Sequence, residues 1–365
     1  MKEKLEEFAE VLLTRSINVE KGDHVYLLTK SVDSLPLFKE VRKQIIQRGG
    51  IPHEHILYDS QLGAMDYTWM KHADKDQLET VSESKKKELE EMDAYIRIGG
   101  ADNTKELKGI DSKKISVREK ATKELLRKRL ELDWVVTRYP TDGMSQAAEM
   151  PTEEFQKFVF DAVTEVDWDS LEEKNQKVKE IFDGAEEVRI QAEGTDLTLS
   201  LKNRDGMPCN GEKNMPDGEV FYAPVKDSLN GKVSFEYPGV TDGDEVEGIV
   251  LHFEDGKVVD YSAERNEELL KQKLNTDEGA RYVGELGIGT NPEIQQFVKN
   301  TLFDEKIGGT IHLALGRAYE ETVPEGEKAN DSGIHWDIVE ELRENGKITV
   351  DGEVVQENGV WKFEE

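Results

Sequence analysis

The stretch His24-Val-Tyr-Leu-Leu-Thr29, followed by Leu35, Phe38, Val41 and Ile45 at helical spacing, decides the fold. A short run of apolar, β-branched and aromatic residues reads as a strand, and apolar positions three or four apart read as one face of a helix. Gly49-Gly50 supplies the helix stop, and Ile51 to Tyr58 reads as a second strand. Strand, helix, strand is a βαβ unit, and the alternation extends outward from it. Upstream, Leu5, Phe8 and Leu12 share a face with Ala9 and Val11, giving a first helix that ends near Ser16. Downstream come a helical stretch from Tyr67 to Glu91, a strand Ala94-Tyr-Ile-Arg-Ile98 closed by Gly99-Gly100, a charged helix from Ser112 to Leu132, and a strand Asp133-Trp-Val-Val-Thr-Arg138. Strands alternating with helices imply a parallel, doubly wound sheet.

The pattern breaks at Tyr139-Pro140-Thr-Asp-Gly143. Pro151-Thr-Glu-Glu opens a helix with proline at its first turn and acids at the positive end of the dipole. A further helix from Leu171 to Phe182 ends at Asp183-Gly184, and after it the texture becomes β-rich. Residues 1–184 are therefore expected as an N-terminal α/β domain, and residues 185–365 as a C-terminal, β-rich α+β domain. Val188–Ala192 and Leu197–Leu201 read as a hairpin around Gly194, and Ile249–Phe253 with Lys257–Tyr261 as a second around Asp255-Gly256. Lys347–Val350, Glu353–Val355 and Val360–Phe363 read as a closing meander.

A chain of 365 residues suits two domains better than one. Its 78 acidic against 48 basic side chains leave a formal net charge of −30. Self-repulsion on that scale argues against nucleic acid as a partner; the acidic field would draw in divalent cations or amine-bearing substrates, although a plain solvated acidic surface is the simpler reading. One cysteine, Cys209, rules out an internal disulfide and a thiolate metal cluster. No run approaches the ~20 apolar residues of a membrane span, and the N-terminus has no apolar signal core, so a soluble, cytoplasmic protein is expected. Gly99-Gly100-Ala-Asp-Asn follows a strand, where such sheets bind ligands, yet it is neither a G-x-G-x-x-G fingerprint nor a P-loop.

Chemistry-bearing residues gather elsewhere. Thr310-Ile-His312-Leu-Ala-Leu315 and Ile334-His335-Trp-Asp337 hold two of the seven histidines. Extended backbone would turn His335 and Asp337 to one face, a clamp for one metal. His312 suits either a core or a ligand. Glu285 lies in Gly284-Glu285-Leu-Gly287-Ile-Gly289-Thr-Asn291-Pro292, read as a glycine-rich loop after a strand at Arg281–Val283, with Asn291-Pro292 capping a following helix. Glu219 follows Pro216-Asp-Gly218 at a rigidified corner, and Tyr319 offers a hydroxyl for a developing oxyanion. His53 and His55 share a strand face but lack a third ligand, so an ordinary face is the better reading. Imidazole with carboxylate suits zinc, manganese or cobalt.

Taken together, Asn214-Met-Pro-Asp-Gly-Glu-Val-Phe221, Gly284-Glu-Leu-Gly-Ile-Gly-Thr-Asn291 and Thr301-Leu-Phe-Asp-Glu-Lys-Ile-Gly-Gly-Thr-Ile-His-Leu-Ala-Leu-Gly316 resemble the thermophilic metallo-aminopeptidases. Arg138-Tyr-Pro-Thr141, Met144-Ser-Gln and the helix from Pro151 look like that family too. The resemblance implies a dinuclear exopeptidase, working as a homodimer on peptides with a free N-terminus. It implies Glu219, Glu285, Glu305, His312, His335 and Asp337 as ligands to two divalent ions (zinc, cobalt, manganese or magnesium), Glu285 bridging, and Tyr319 as catalytic. Six residues separate Glu305 from His312, a longer spacing than in some members. Four carboxylates would neutralise two such ions, and a metal-activated water would attack the scissile carbonyl. Two rivals stand beside this reading: a ring-cleaving dioxygenase with a single iron on the same scaffold, and a non-catalytic metal-binding protein.

Overall fold

A computed structural model describes residues 2–57, 66–241 and 243–364. Met1 and Tyr58, which the sequence reading included in its first helix and second strand, lie outside the described residues. The chain divides into two compact units, residues 1–165 with 211–216 and residues 166–210 with 217–365.

In the first unit the βαβ reading holds. Ile51–Ile56, His24–Thr29, Ala94–Gly99, Asp133–Arg138 and Asn214–Met215 lie side by side in that order, all parallel. Val25, Leu27, Ile96 and Val135 are fully buried, as the strands of a sheet covered on both faces must be. The edge strand Ile51–Ile56 stays half exposed and carries Pro52, which an edge tolerates. Gly49 ends the helix Leu35–Arg48 in the left-handed region at φ 88°, returning its N–H to Ile46. The stretch Tyr67–Glu91 is three short helices, Tyr67–His72, Lys75–Glu79 and Glu83–Glu90, because Asp66 and Asp74 each cap a new start. His53 accepts or donates a ring hydrogen bond with His24 at 2.9 Å, and His55 stacks on Tyr26 and pairs with Glu88. An ordinary strand face is what the structure has there.

Among the described residues, the second unit contains two large antiparallel sheets and the two-stranded pair Gly239–Thr241/Asp244–Val246. One has eight strands, including the expected hairpins Val188–Ala192/Thr195–Leu199 and Val250–Glu254/Lys257–Ser262 and the meander Lys347–Val350, Glu353–Glu357, Val360–Trp361. Asp255 and Gly256, both at positive φ, make the tight turn that Asp-Gly favours. The other sheet runs His335–Glu340, Ile311–Gly316, Val283–Gly289, Glu219–Tyr222, Met207–Cys209. Leu197, Leu251, Leu286, Leu313, Trp336 and Trp361 are buried in one core. The expected boundary at Gly184 differs from this division. The helix Trp168–Phe182 belongs to the second unit, because Val178 and Phe182 are fully buried in its core. Each large apolar side chain so buried contributes about 1.5–3 kcal/mol.

Candidate metal centre

Four strands of the five-stranded sheet turn polar side chains to one face. Glu219 begins its strand opposite Gly289. Glu285 and His312 lie on neighbouring strands, with Gly287 opposite His312. His335 lies opposite Gly316 and Asp337 opposite Ala314. Between the functional residues, alternate positions are Gly287, Gly289, Ala314 and Gly316, which form a floor of minimal height. A Cβ on Gly287 would stand 1.9 Å from Cε1 of His312. The glycines around Glu285 are thus strand residues of Val283–Gly289, not the loop expected from sequence; Gly287 makes room for His312 of the neighbouring strand, while Gly284 and Gly289 lie against the carbonyls of Arg317 and Ile307. A bulge between Val283 and Glu285 sets the carboxylate's register. Asn291 does not cap a helix either; its side chain accepts from Glu293 N and donates to the carbonyl of Asp217, pinning two loops.

The side chains converge. Nε2 of His312 lies 3.1 Å from Oε1 of Glu285 and 3.5 Å from Oε2 of Glu219. Nε2 of His335 lies 3.4 Å from Oδ1 of Asp337 and 3.9 Å from Oε2 of Glu285. Nδ1 of His335 donates to the carbonyl of Arg317 at 2.7 Å, leaving Nε2 to face the carboxylates. Among the described residues, two triplets that share Glu285 bring one ligand atom each within 4.8 Å of the others: Glu219, Glu285, His312 and Glu285, His335, Asp337. Glu305, just past the short helix Thr301–Asp304, belongs to neither. Its Oε2 accepts from Lys306 at 2.5 Å, and it lines a small cavity with Asp337, Asp304, Phe297 and Val339. The ring of Tyr319 lies 5.0 Å from that of His335 and 5.6 Å from that of Phe221.

Sequence reasoning missed Lys306. It is 1% exposed and bridges Glu305 to Oε1 of Glu219, 3.0 Å away. No sequence signal marks it: Lys306 closes the charged run Asp304-Glu305-Lys306, where a lysine reads as exposed. Cys209 and Asp217 were missed as well, and they form a third group with Glu219.

Burial dominates the electrostatics. It raises the pKa of Glu285 against the hydrogen bond from His312, and that of Glu305 against the charge of Lys306. Burial disfavours the charged imidazoles, yet Glu285 and Glu219 raise His312 to about 9, and Asp337 raises His335 to about 9. Asp337 is held well below the usual carboxylate range by His335 and then His312, in spite of its burial. Lys306 stays charged because Glu219 and Glu305 outweigh its desolvation.

The donor set fits a metal better than it fits itself. Oε2 of Glu219, Oε2 of Glu285, Nδ1 of His312 and Oδ1 of Asp337 are buried and have no hydrogen-bond partner. Buried polar atoms normally find partners, and orphans concentrated at one spot call for an ion. Oxygen and imidazole nitrogen suit a borderline divalent ion.

Comparison with known proteins agrees with this chemistry. The chain is 30% identical to aminopeptidase AmpS of Bacillus subtilis (strain 168), covering 99% of each chain. It is 28% identical to aminopeptidase 2 of Geobacillus stearothermophilus, over 99% of this chain and 98% of that one. Among solved structures, wild-type AmpT from Thermus thermophilus superposes with a TM-score of 0.83 at 25% identity, covering 99% of both chains. A 2,5-dihydroxypyridine dioxygenase from Pseudomonas putida KT2440 shares the fold at TM-score 0.62 and 14% identity, over 99% and 97%. Residues 1–361 match the family described as thermophilic metalloprotease (M29), and the chain belongs to that family.

Proposed function

We propose that this chain is an aminopeptidase that uses two divalent metal ions to hydrolyse the N-terminal residue from peptides. The observation that carries the reading is the pair of ligand triplets sharing Glu285, with four buried orphan atoms among their members. Glu219, Glu285 and His312 would hold one ion, and Glu285, His335 and Asp337 the other. Divalent ions at such a site supply Lewis acidity and a water of lowered pKa.

The rest is the work of the chain itself. Ligating imidazoles must be neutral, so metal binding would displace the protons that His312 and His335 now carry. The carbonyl of Arg317 fixes the orientation of His335. Tyr319, beside His335, would donate its hydroxyl to the developing oxyanion; burial and then Glu285 and Asp337 disfavour its ionisation and keep it a donor. Lys306 holds Oε2 of Glu305 and Oε1 of Glu219 in the metal-free chain, which leaves each carboxylate a second oxygen with which to face an ion. Carboxylates left over after metal binding would attract the substrate's α-ammonium and so restrict cleavage to the terminus.

Hydrolysis of aminoacyl anilides should stop on chelation and return on adding back zinc, cobalt, manganese or magnesium. Metal analysis should find two ions per chain. Activity indifferent to chelation sinks the reading, and a single iron would favour the dioxygenase chemistry instead. The proposal extends to a cytoplasmic homodimer, for which sedimentation of the full chain should give two copies per particle.

A further inference from the structure

The first unit holds an electrostatic anomaly that the peptidase reading does not use. In a chain with 78 acidic side chains against 48 basic ones, Arg97 and Arg138 have no ion pair among the described residues. They lie on one face of the parallel sheet: Arg97 is on the strand Ala94–Gly99, and Arg138 ends the neighbouring strand directly opposite Gly99. Residues two apart on a strand share a face, so Arg97 and the bare position at Gly99 face the same side as Arg138.

Gly99 is bare for a reason. A Cβ built there would stand 2.5 Å from Nη1 of Arg138 and 3.0 Å from its Cδ, so the arginine lies along the glycine. The guanidinium's one protein hydrogen bond among the described residues is a 3.5 Å contact to its neighbour's carbonyl, Thr137 O. Nε of Arg97 is buried without a partner. A third arginine, Arg129, brings no carboxylate; its guanidinium lies over the rings of Trp134 and Tyr95 at 4.6 and 5.6 Å. Asp102 accepts from Ser31 Oγ at 3.2 Å and makes no ion pair with either arginine among the described residues. Burial and then Arg97 both disfavour the charge on Arg138, and a guanidinium cannot escape by losing its proton.

The loops that follow these strands are tied together. Thr141 Oγ1 donates to Ala101 O at 2.5 Å, and a Cβ on Gly143 would meet Asp102 O at 2.2 Å. Both arginines therefore sit below a fixed rim at the carboxyl ends of parallel strands, where open α/β sheets bind ligands. Two guanidinium forks with free donors match a planar or tetrahedral oxyanion.

We propose that Arg97 and Arg138 form a binding site for a small oxyanion, carboxylate or phosphate, at the carboxyl edge of the first unit's sheet. Gly99-Gly100 then serves this site by leaving room for Arg138, and no nucleotide-binding turn is needed to explain it.

The test titrates the full chain, at constant ionic strength, with inorganic phosphate and separately with N-acetylglycine, a carboxylate whose amine is blocked. Binding is read by calorimetry and by the shift in melting temperature. Saturable binding of either probe is expected, and which one binds identifies the source. Losing a charge-assisted hydrogen bond should weaken it about tenfold or more in Arg97→Gln and in Arg138→Gln. Without probe, each variant should melt at or above the parent, because an uncompensated charge has been removed. Failure of both probes to saturate, or equal affinity in parent and variants, overturns the proposal. If a Gln variant does not fold, Arg97→Lys keeps the charge without the fork; it should bind several-fold more weakly, and unchanged affinity there overturns the proposal equally.

Discussion

The strand His335–Glu340 carries buried ionisable groups at both ends, and the two ends are finished differently. At its far end Glu340 accepts from Thr195 Oγ1 at 2.8 Å and from Glu236 N at 3.3 Å. The next residue, Glu341, takes hydrogen bonds from Tyr237 at 2.7 Å and from Arg343 through its backbone N–H, Nε and Nη2. Every carboxyl oxygen there has a donor within the fold. At the near end, Asp337 and its neighbours Glu219, Glu285 and His312 each keep a buried atom unanswered. A buried network that folding satisfies is structural, whereas one that folding leaves open is waiting for something from outside.

The sharpest way to break this contrast is Glu285→Ala, which removes the residue common to both triplets. Anilide hydrolysis should fall roughly a thousandfold or more, since polarisation by metal is worth several kcal/mol. Bound metal should fall below two per chain, while the metal-free chain should melt no lower than the parent. A large loss of metal-free stability would place Glu285 with the structural end. Glu341→Ala should behave oppositely. It leaves Arg343 half-buried without its fork partner and should cost about 2–3 kcal/mol in denaturant unfolding.

Lys306→Met sharpens the comparison between the ends, because this lysine is the near end's own counter-ion. Without it, Glu219 and Glu305 face each other uncompensated, and the metal-free chain should lose roughly 1–3 kcal/mol. Saturating zinc should recover most of that loss, which a purely structural lysine would not allow. The smallest effect expected is a change of pH dependence. Burial raises Glu340 from 4.5 to about 8 against its hydrogen bond from Thr195. Its favourable contribution is therefore complete below pH 4.5 and is lost as pH rises through 8. Glu340→Gln should flatten that limb of the stability curve, and an unchanged limb would assign it to another group.

How much of this could be read from residues alone depends on the range of the interactions. Local signals served well: helical spacing, the Gly49 stop and the Asp255-Gly256 turn all act within a few residues. Glu219, Glu285, His312, His335 and Asp337 were also legible, because strand periodicity and family-like motifs single them out. Lys306 was not, since a lysine is ordinarily read as exposed and only the tertiary fold shows that both its acidic partners are buried with it. The glycine-rich run around Glu285 reads as a loop because the needs it meets arise elsewhere in the chain: Gly287 clears space for His312, and Gly284 lets the carbonyl of Arg317 approach. The unit boundary escaped for the same reason: Phe182 ends a helix that looks like its predecessors, and only the core it enters distinguishes it.

The short strand Asn214–Met215 has a topological consequence. It pairs in parallel with Asp133–Arg138 as the outermost member of the first unit's sheet, although 45 residues of the second unit precede it in the chain. The two units are interleaved along the sequence rather than following one after the other. No single cut yields both intact: a fragment stopping at Glu165 would bare the row of N–H and C=O groups along Asp133–Arg138, an open template for self-association. The chain thus crosses from one unit to the other three times, after residues 165, 210 and 216.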